Sequence, residues 1–220
     1  MRLLRRIRTA WRLYVLRDPV LREAMRWRRE QGDGRLRLDY PLDRDSIVFD
    51  VGGYHGDFAA QIQQRYGCRV FVFEPVRKFF DHCVQRFIDL PQVRCFNYGL
   101  SAVAGRFAIT QEADGSSLTK ASQSGPHEWV EVRRFADVVE ELGLARIDLL
   151  KLNIEGGEFD VLPHLIDSGL MQRVRFLQVQ FHNFVPDAVN RRERIRERLR
   201  HTHDEMWNYP FVWESWRIRN

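Results

Sequence analysis

The stretch Ser46–Pro75, SIVFDVGGYHGDFAAQIQQRYGCRVFVFEP, constrains the fold more than any other part of the chain. Ile47-Val48-Phe49 is a short apolar run of the kind that a strand buried on both faces needs. Asp50 ends it, and Gly52, Gly53 and Gly56 let the backbone turn tightly and approach a ligand without Cβ hindrance. Phe58, Ala59 and Ile62 follow at helical spacing, and Gly67 stands where a helix C-cap belongs. Val70-Phe71-Val72-Phe73 is the next buried strand, with Glu74 at its carboxyl end. The unit predicts an α/β protein with a parallel sheet and a ligand lying across the carboxyl ends of the strands. There Glu74 is placed to accept hydrogen bonds from the two hydroxyls of a ribose. A dinucleotide fingerprint, with glycines at relative positions one, three and six, would need a glycine at Val51 and is excluded.

A chain of 220 residues fits one domain with a peripheral extension. Its charge is unevenly spread: residues 1–37 hold 12 arginines against Asp18, Glu23, Glu30 and Asp33, so the remaining body is mildly acidic and carries no nucleic-acid footprint. We divide the chain into basic amphipathic helices over 1–40 and a main domain over 41–220. Leu4, Ile7, Trp11 and Tyr14 mark one helical face, and Val20, Ala24 and Trp27 a second, after Asp18-Pro19 as N-cap and first helical residue. Two readings stand side by side: the helices pack on the core and cover the ligand cleft, or they lie peripherally on an anionic membrane surface or acidic partner. No apolar run reaches about 18 residues, and the early stretch Leu13–Leu16 is too short for a signal peptide, so the expected location is cytoplasmic. Cys68, Cys83 and Cys95 form no CxxC pair and read as buried apolar residues in a reducing compartment.

Further along, Val76–Ile88 reads as a helix and Val93–Asn97 as a third strand. Two short strands over Arg106–Thr110 and Trp129–Phe135 flank a Gly- and Ser-rich connection over 111–128, a candidate substrate lid. The run Ile147–Glu158, IDLLKLNIEGGE, is a buried strand whose last residues turn polar, followed by a helix from Phe159 to Ser168. Val174–His182 is the next strand. An Arg-rich helix over 187–201, read as a solvated face with Ile195 and Leu199 inside, precedes a hairpin divided by Pro210.

The loop Asp50–Gly56, Asp-x-Gly-x-x-x-Gly, resembles the cofactor loop of class I methyltransferases, which bind S-adenosylmethionine. FDVGGYHGDF, VFEP, NYGLS, IDLLKLNIEGGEFDVL and QVQFH, in that order, are together similar to the FkbM family of these enzymes. The resemblance covers residues 46–182. It implies a Rossmann-like fold with a seven-stranded, mostly parallel sheet closed by a C-terminal antiparallel hairpin. It also implies methyl transfer from S-adenosylmethionine to a hydroxyl of a small molecule, sugar or glycan. The cofactor would be held by Asp50, Gly52, Gly53, Tyr54, His55, Gly56, Glu74 and Pro75, with Asn97 and Leu100 beside the adenine. A plain turn at Asn97–Leu100 is the alternative. One departure from the family pattern is Asn153, where an aspartate is usual; an amide keeps the shape but cannot act as a base.

Strand alternation places Lys151, Asn153 and Glu155 on one face, and Gln180 and His182 on one face of the next strand. A sugar hydroxyl has a high pKa, so a base helps as its proton leaves. His182 is the expected general base, with Glu155 orienting it or binding a substrate hydroxyl. Helix and strand capping by the same residues, and an ion-pair role for Lys151, are the alternatives. A metal at Glu155, Gln180 and His182 is disfavoured because glutamine is a poor ligand and Asn153 is neutral. Competing functions are N-methylation, which needs less help from a base, and a non-catalytic binding protein on the same fold.

Overall fold

The computed structural model describes residues 18–110 and 127–219. The first basic helix, with Trp11, and most of the expected lid, residues 111–126, lie outside them. The described part opens with α1 (Pro19–Arg29), whose first turn is capped by Asp18 Oδ1 accepting from the Leu21 N–H at 3.1 Å. It then alternates β1 (Ile47–Val51), α2 (Asp57–Tyr66), β2 (Arg69–Phe73), α3 (Arg77–Arg86) and β3 (Val93–Phe96). After an insertion of β4 (Gly99–Ser101), β5 (Gly105–Thr110), β6 (His127–Arg134) and α4 (Phe135–Glu141), the pattern resumes. There follow β7 (Ile147–Leu152), α5 (Glu158–Asp167), β8 (Val174–Val179), α6 (Ala188–Leu199), β9 (His203–Tyr209) and β10 (Trp213–Ile218).

Seven strands form one sheet in the order β3-β2-β1-β7-β8-β10-β9. β3, β2, β1, β7 and β8 are parallel, and β10 runs antiparallel to both β8 and β9. This is the expected seven-stranded sheet with a closing hairpin. Its order reverses between β1 and β7, and a crevice opens there at the carboxyl ends of the strands. β1 is buried along its length because both faces are covered. Phe49 belongs with Leu150, Leu177 and Trp216 to the core cluster on one side of the sheet, and Val48 with Ile62, Val70 and Leu149 to that on the other.

Three features were not legible in the chain. Gly99–Ser101 is a strand, not a turn: it pairs in parallel with β6, which pairs antiparallel with β5 in a second, three-stranded sheet. Ile109 and Val130 of that sheet pack on Val76 and Phe79, so it sits over the carboxyl end of β2. The Arg-rich helix is not simply solvated. Arg192 and Arg196 share the inner face with Ile195 and Leu199, are buried, and ion-pair with Glu214 of β10. Finally, α1 rests on the hairpin. Trp27 is 3% exposed, with its ring 5.5 Å from that of Trp207 and 4.9 Å from that of Tyr209, so it is buried in protein and is no bilayer anchor. Among the described residues no helix is long and apolar enough to cross a membrane.

Candidate active site

Register explains the first part of the site. Asp50 and Lys151 are directly paired across the parallel strands β1 and β7, so their side chains project from the sheet side by side. Lys151 Nζ donates to Asp50 Oδ1 at 2.8 Å and to the Gly52 carbonyl at 2.7 Å. Burial pulls the lysine pKa down while the aspartate opposes it. The pair therefore ties the glycine loop to β7. Gly52 lies in the left-handed region at φ 82°, and a Cβ there would stand 2.0 Å from the Asn153 carbonyl oxygen. A Cβ on Gly53 would meet Val72 at 2.3 Å. Gly56, at φ 74°, is the N-cap of α2 against Phe87. Gly52 brings the β1 and β7 loops together so closely that no side chain fits between them, while Gly53 and Gly56 do the same against β2 and Phe87.

Beyond the loop lies a cleft of ≈ 240 Å³. Glu74, at the end of β2, lines one wall. Its Oε2 accepts from the Tyr54 N–H at 2.7 Å and its Oε1 from the Val76 N–H at 2.9 Å. Each oxygen keeps further acceptor capacity, and burial pushes the carboxyl pKa up against those two N–H groups. Pro75 and Leu100 line the cleft as expected, joined by Val76, Phe79, Ile109 and Val132 in an apolar wall that the sequence did not announce. Asn97 does not line it. Its Nδ2 donates to the carbonyls of Glu74 and Pro75 at 3.1 and 3.0 Å, bracing the backbone that carries Glu74.

The opposite wall is Asn153, Ile154 and Glu155. Strand alternation does not extend this far, because β7 ends at Leu152 and Glu155 is left-handed at φ 51°. Lys151 consequently faces a second hollow of ≈ 170 Å³, Glu155 faces the cleft, and Asn153 lines both. Gly53 and His55 also belong to the second hollow, with Arg37 from the N-terminal segment. Gln180 lies just past the end of β8 and contributes its backbone N–H to the Leu152 carbonyl.

Behind Glu155 is His182, gripped between two carboxylates. Glu158 Oε1 lies 2.8 Å from His182 Nδ1 and accepts from the His182 backbone N–H at 2.8 Å. Its Oε2 accepts from the Gly156 N–H at 3.0 Å. Glu155 Oε1 stands 3.6 Å from His182 Nε2. Burial disfavours charge on the imidazole, but Glu155 and Glu158 outweigh it and push the pKa up to about 9. His182 is thus cationic at neutral pH, and the carboxylate that orients it is Glu158 rather than Glu155. Glu158 had a signal in the chain: it shares the 158, 161, 162, 165 stripe with Val161, Leu162 and Leu165, and a fully buried acid needs a partner. Among the described residues, two buried acceptors here have no hydrogen-bond partner, Asp50 Oδ2 and Asn153 Oδ1. Among the described residues no cluster of three or more His, Cys, Asp or Glu is placed to hold a metal ion.

Residues 50–210 match the family described as the methyltransferase FkbM domain. The 2-O-methyltransferase NoeI of Sinorhizobium fredii is 27% identical over 156 residues, covering 62% of this chain and 63% of that protein. The chain spans less than two thirds of the length of each curated relative considered, NoeI included. Among solved structures, an rRNA methylase of Streptococcus thermophilus superimposes with a TM-score of 0.53 at 14% identity, covering 86% of this chain and 95% of that one. Fibrillarin of Aeropyrum pernix, solved with natively bound S-adenosyl-L-methionine, gives 0.50 at 11% identity over 85% and 74%. At such identities these two structures bear on the fold alone.

Proposed function

The chain belongs to the FkbM family of methyltransferases, and from that premise we propose that it methylates a hydroxyl of a sugar, glycan or secondary metabolite at the Glu155 side of the cleft. S-adenosylmethionine supplies an electrophilic methyl group on a sulfonium. The residues present fit that cofactor. Glu74 retains acceptor capacity for two ribose hydroxyls, the wall of Val76, Phe79, Leu100, Ile109 and Val132 suits an adenine face, and Asn153 Oδ1 is an acceptor in want of a donor.

The observation that carries hydroxyl methylation is the carboxylate of Glu155, in the cleft and backed by a cation. Bound there, S-adenosylmethionine would supply the methyl group and retain the electron pair of its carbon–sulfur bond, and Glu155 would take the proton that the acceptor hydroxyl gives up. His182, held by Glu158, stands behind Glu155 as a positive charge and has no vacant nitrogen with which to act as base. Asn153 and Ile154 define the adjoining wall, which would position the nucleophile, and positioning can supply much of the rate. That NoeI bears the name of a 2-O-methyltransferase supports the same acceptor chemistry.

The test is incubation with methyl-labelled S-adenosylmethionine and separate pools of saccharides, hydroxylated metabolites and amines, with products identified by mass spectrometry. O-methylated products are expected, and Glu155→Gln should lower kcat by roughly 10²–10⁴-fold. Labelled N-methyl products alone, or full turnover by the Glu155→Gln variant, would refute the assignment.

A further inference from the structure

Arg37 lies outside the matched residues 50–210 and has no motif of its own. The short 3₁₀ turn Leu36–Leu38 nevertheless brings it to the second hollow, beside Gly52, Gly53 and His55. Gly52, Tyr54 and Asn153 line both this hollow and the main cleft. A ligand with its ribose on Glu74 therefore reaches the hollow by passing Gly52.

The hollow contains two cations that differ in what they have left to offer. Lys151 commits its charge to Asp50 and a second of its three donors to the Gly52 carbonyl. Arg37 donates through Nε to Gln178 Oε1 at 3.1 Å and through one terminal nitrogen to Asp33 at 3.3 Å. Its other terminal nitrogen makes no hydrogen bond among the described residues. Asp33 is 69% exposed, so that pair is screened and weak. The guanidinium itself is held firmly. It lies 4.1 Å over the Trp213 ring, and Gln178 Nε2 donates to the Arg37 carbonyl and to the Tyr40 hydroxyl, each at 3.0 Å. Tyr40 is in turn 2.9 Å from Ser215 Oγ. Burial pulls the arginine pKa down, with Asp33 opposing. Asp57 also lines the hollow and buried Asp50 lies near, but these carboxylates are paired with Arg86 and Lys151. A fixed, largely buried cation with donors to spare, whose own carboxylate partner is solvated, is a receptor for an anion.

We propose that Arg37 binds the carboxylate of the methionine part of the methyl donor, so that residues 33–40 complete the cofactor site from outside the family domain. The proposal rests on the cofactor reading above and extends it to a segment that the division at residue 40 would set apart. Through Gln178, Tyr40 and Ser215, the same residue joins the donor site to β8 and the closing hairpin.

Calorimetric titration of the full chain with S-adenosylhomocysteine and with its decarboxylated analogue tests the idea without turnover. Arg37→Ala should weaken S-adenosylhomocysteine binding by roughly 10- to 100-fold, as expected for a hydrogen-bonded charged group. Binding of the decarboxylated analogue should stay within about two-fold, because that ligand has nothing for Arg37 to hold. Arg37→Lys keeps the charge without the fork; it should recover part of the loss for S-adenosylhomocysteine alone, and it serves if the alanine variant folds poorly. Equal weakening of both ligands would make Arg37 a structural residue and overturn the proposal, as would no weakening of either. Failure of the unmodified chain to bind S-adenosylhomocysteine would refute the cofactor reading itself, and this proposal with it.

Discussion

Replacing Glu158 by glutamine tests the charge arrangement on which the proposed chemistry depends. Glu158 is fully buried, and its Oε1 meets both the ring and the backbone N–H of His182. Glu155, 3.6 Å from Nε2, and Glu158, 2.8 Å from Nδ1, both raise the pKa of the imidazole. His182 has a pKa of about 9 against an ordinary 6.5. At about 1.36 kcal/mol for each pH unit, that gap is worth about 3 kcal/mol of folding stability. The folded value is the higher one. The contribution is therefore fully present below about pH 6.5 and is lost as pH rises through about 9. Two measurements follow. Nitrogen-detected NMR of histidine-labelled protein should place His182 near pH 9 in the unmodified chain and at least about one unit lower in Glu158→Gln. Urea unfolding should show the variant less stable by at least about 1.4 kcal/mol more at pH 6.5 than at pH 10, since only the charged imidazole feels the missing carboxylate. Any cost of burying the amide is common to both pH values and cancels. An unmodified His182 that titrates at or below 6.5, or a stability difference independent of pH, would refute the reasoning and return His182 to the role of base.

Two further substitutions probe the scaffold. Lys151→Met should leave Asp50 charged and unpartnered in the core, costing about 3–5 kcal/mol in urea unfolding. Adding Asp50→Asn should restore part of that; a fully additive double variant would mean that the two groups do not interact. Trp27→Ala should cost about 3–5 kcal/mol by emptying the space between α1 and the hairpin residues Trp207 and Tyr209. If its unfolding midpoint were unchanged, α1 would not be docked as described.

What the sequence determined by itself is what depends on local pattern. Doubly apolar runs such as Val48-Phe49 and Val70–Phe73 read as interior parallel strands, the glycines at 52 and 56 as a tight loop, and the acid at the end of β2 as facing a crevice at the strand ends. The fold class and the tight loop follow from those residues. Tertiary structure decided everything that requires two distant segments to meet. Periodicity placed Lys151, Asn153 and Glu155 on one face, but the strand stops at Leu152 and a left-handed residue at 155 sends the carboxylate into a different hollow from the lysine. A histidine near a glutamate reads as a base in sequence. Only the return of β8 beside α5 shows that a buried second carboxylate, Glu158, holds it charged. Arg37 had no signal at all, because its partners Gln178 and Trp213 lie more than a hundred residues away along the chain. Electrostatics acts through space across a packed, low-dielectric interior, whereas hydrophobic periodicity acts along the chain; the former therefore waits for the fold, and the latter makes it.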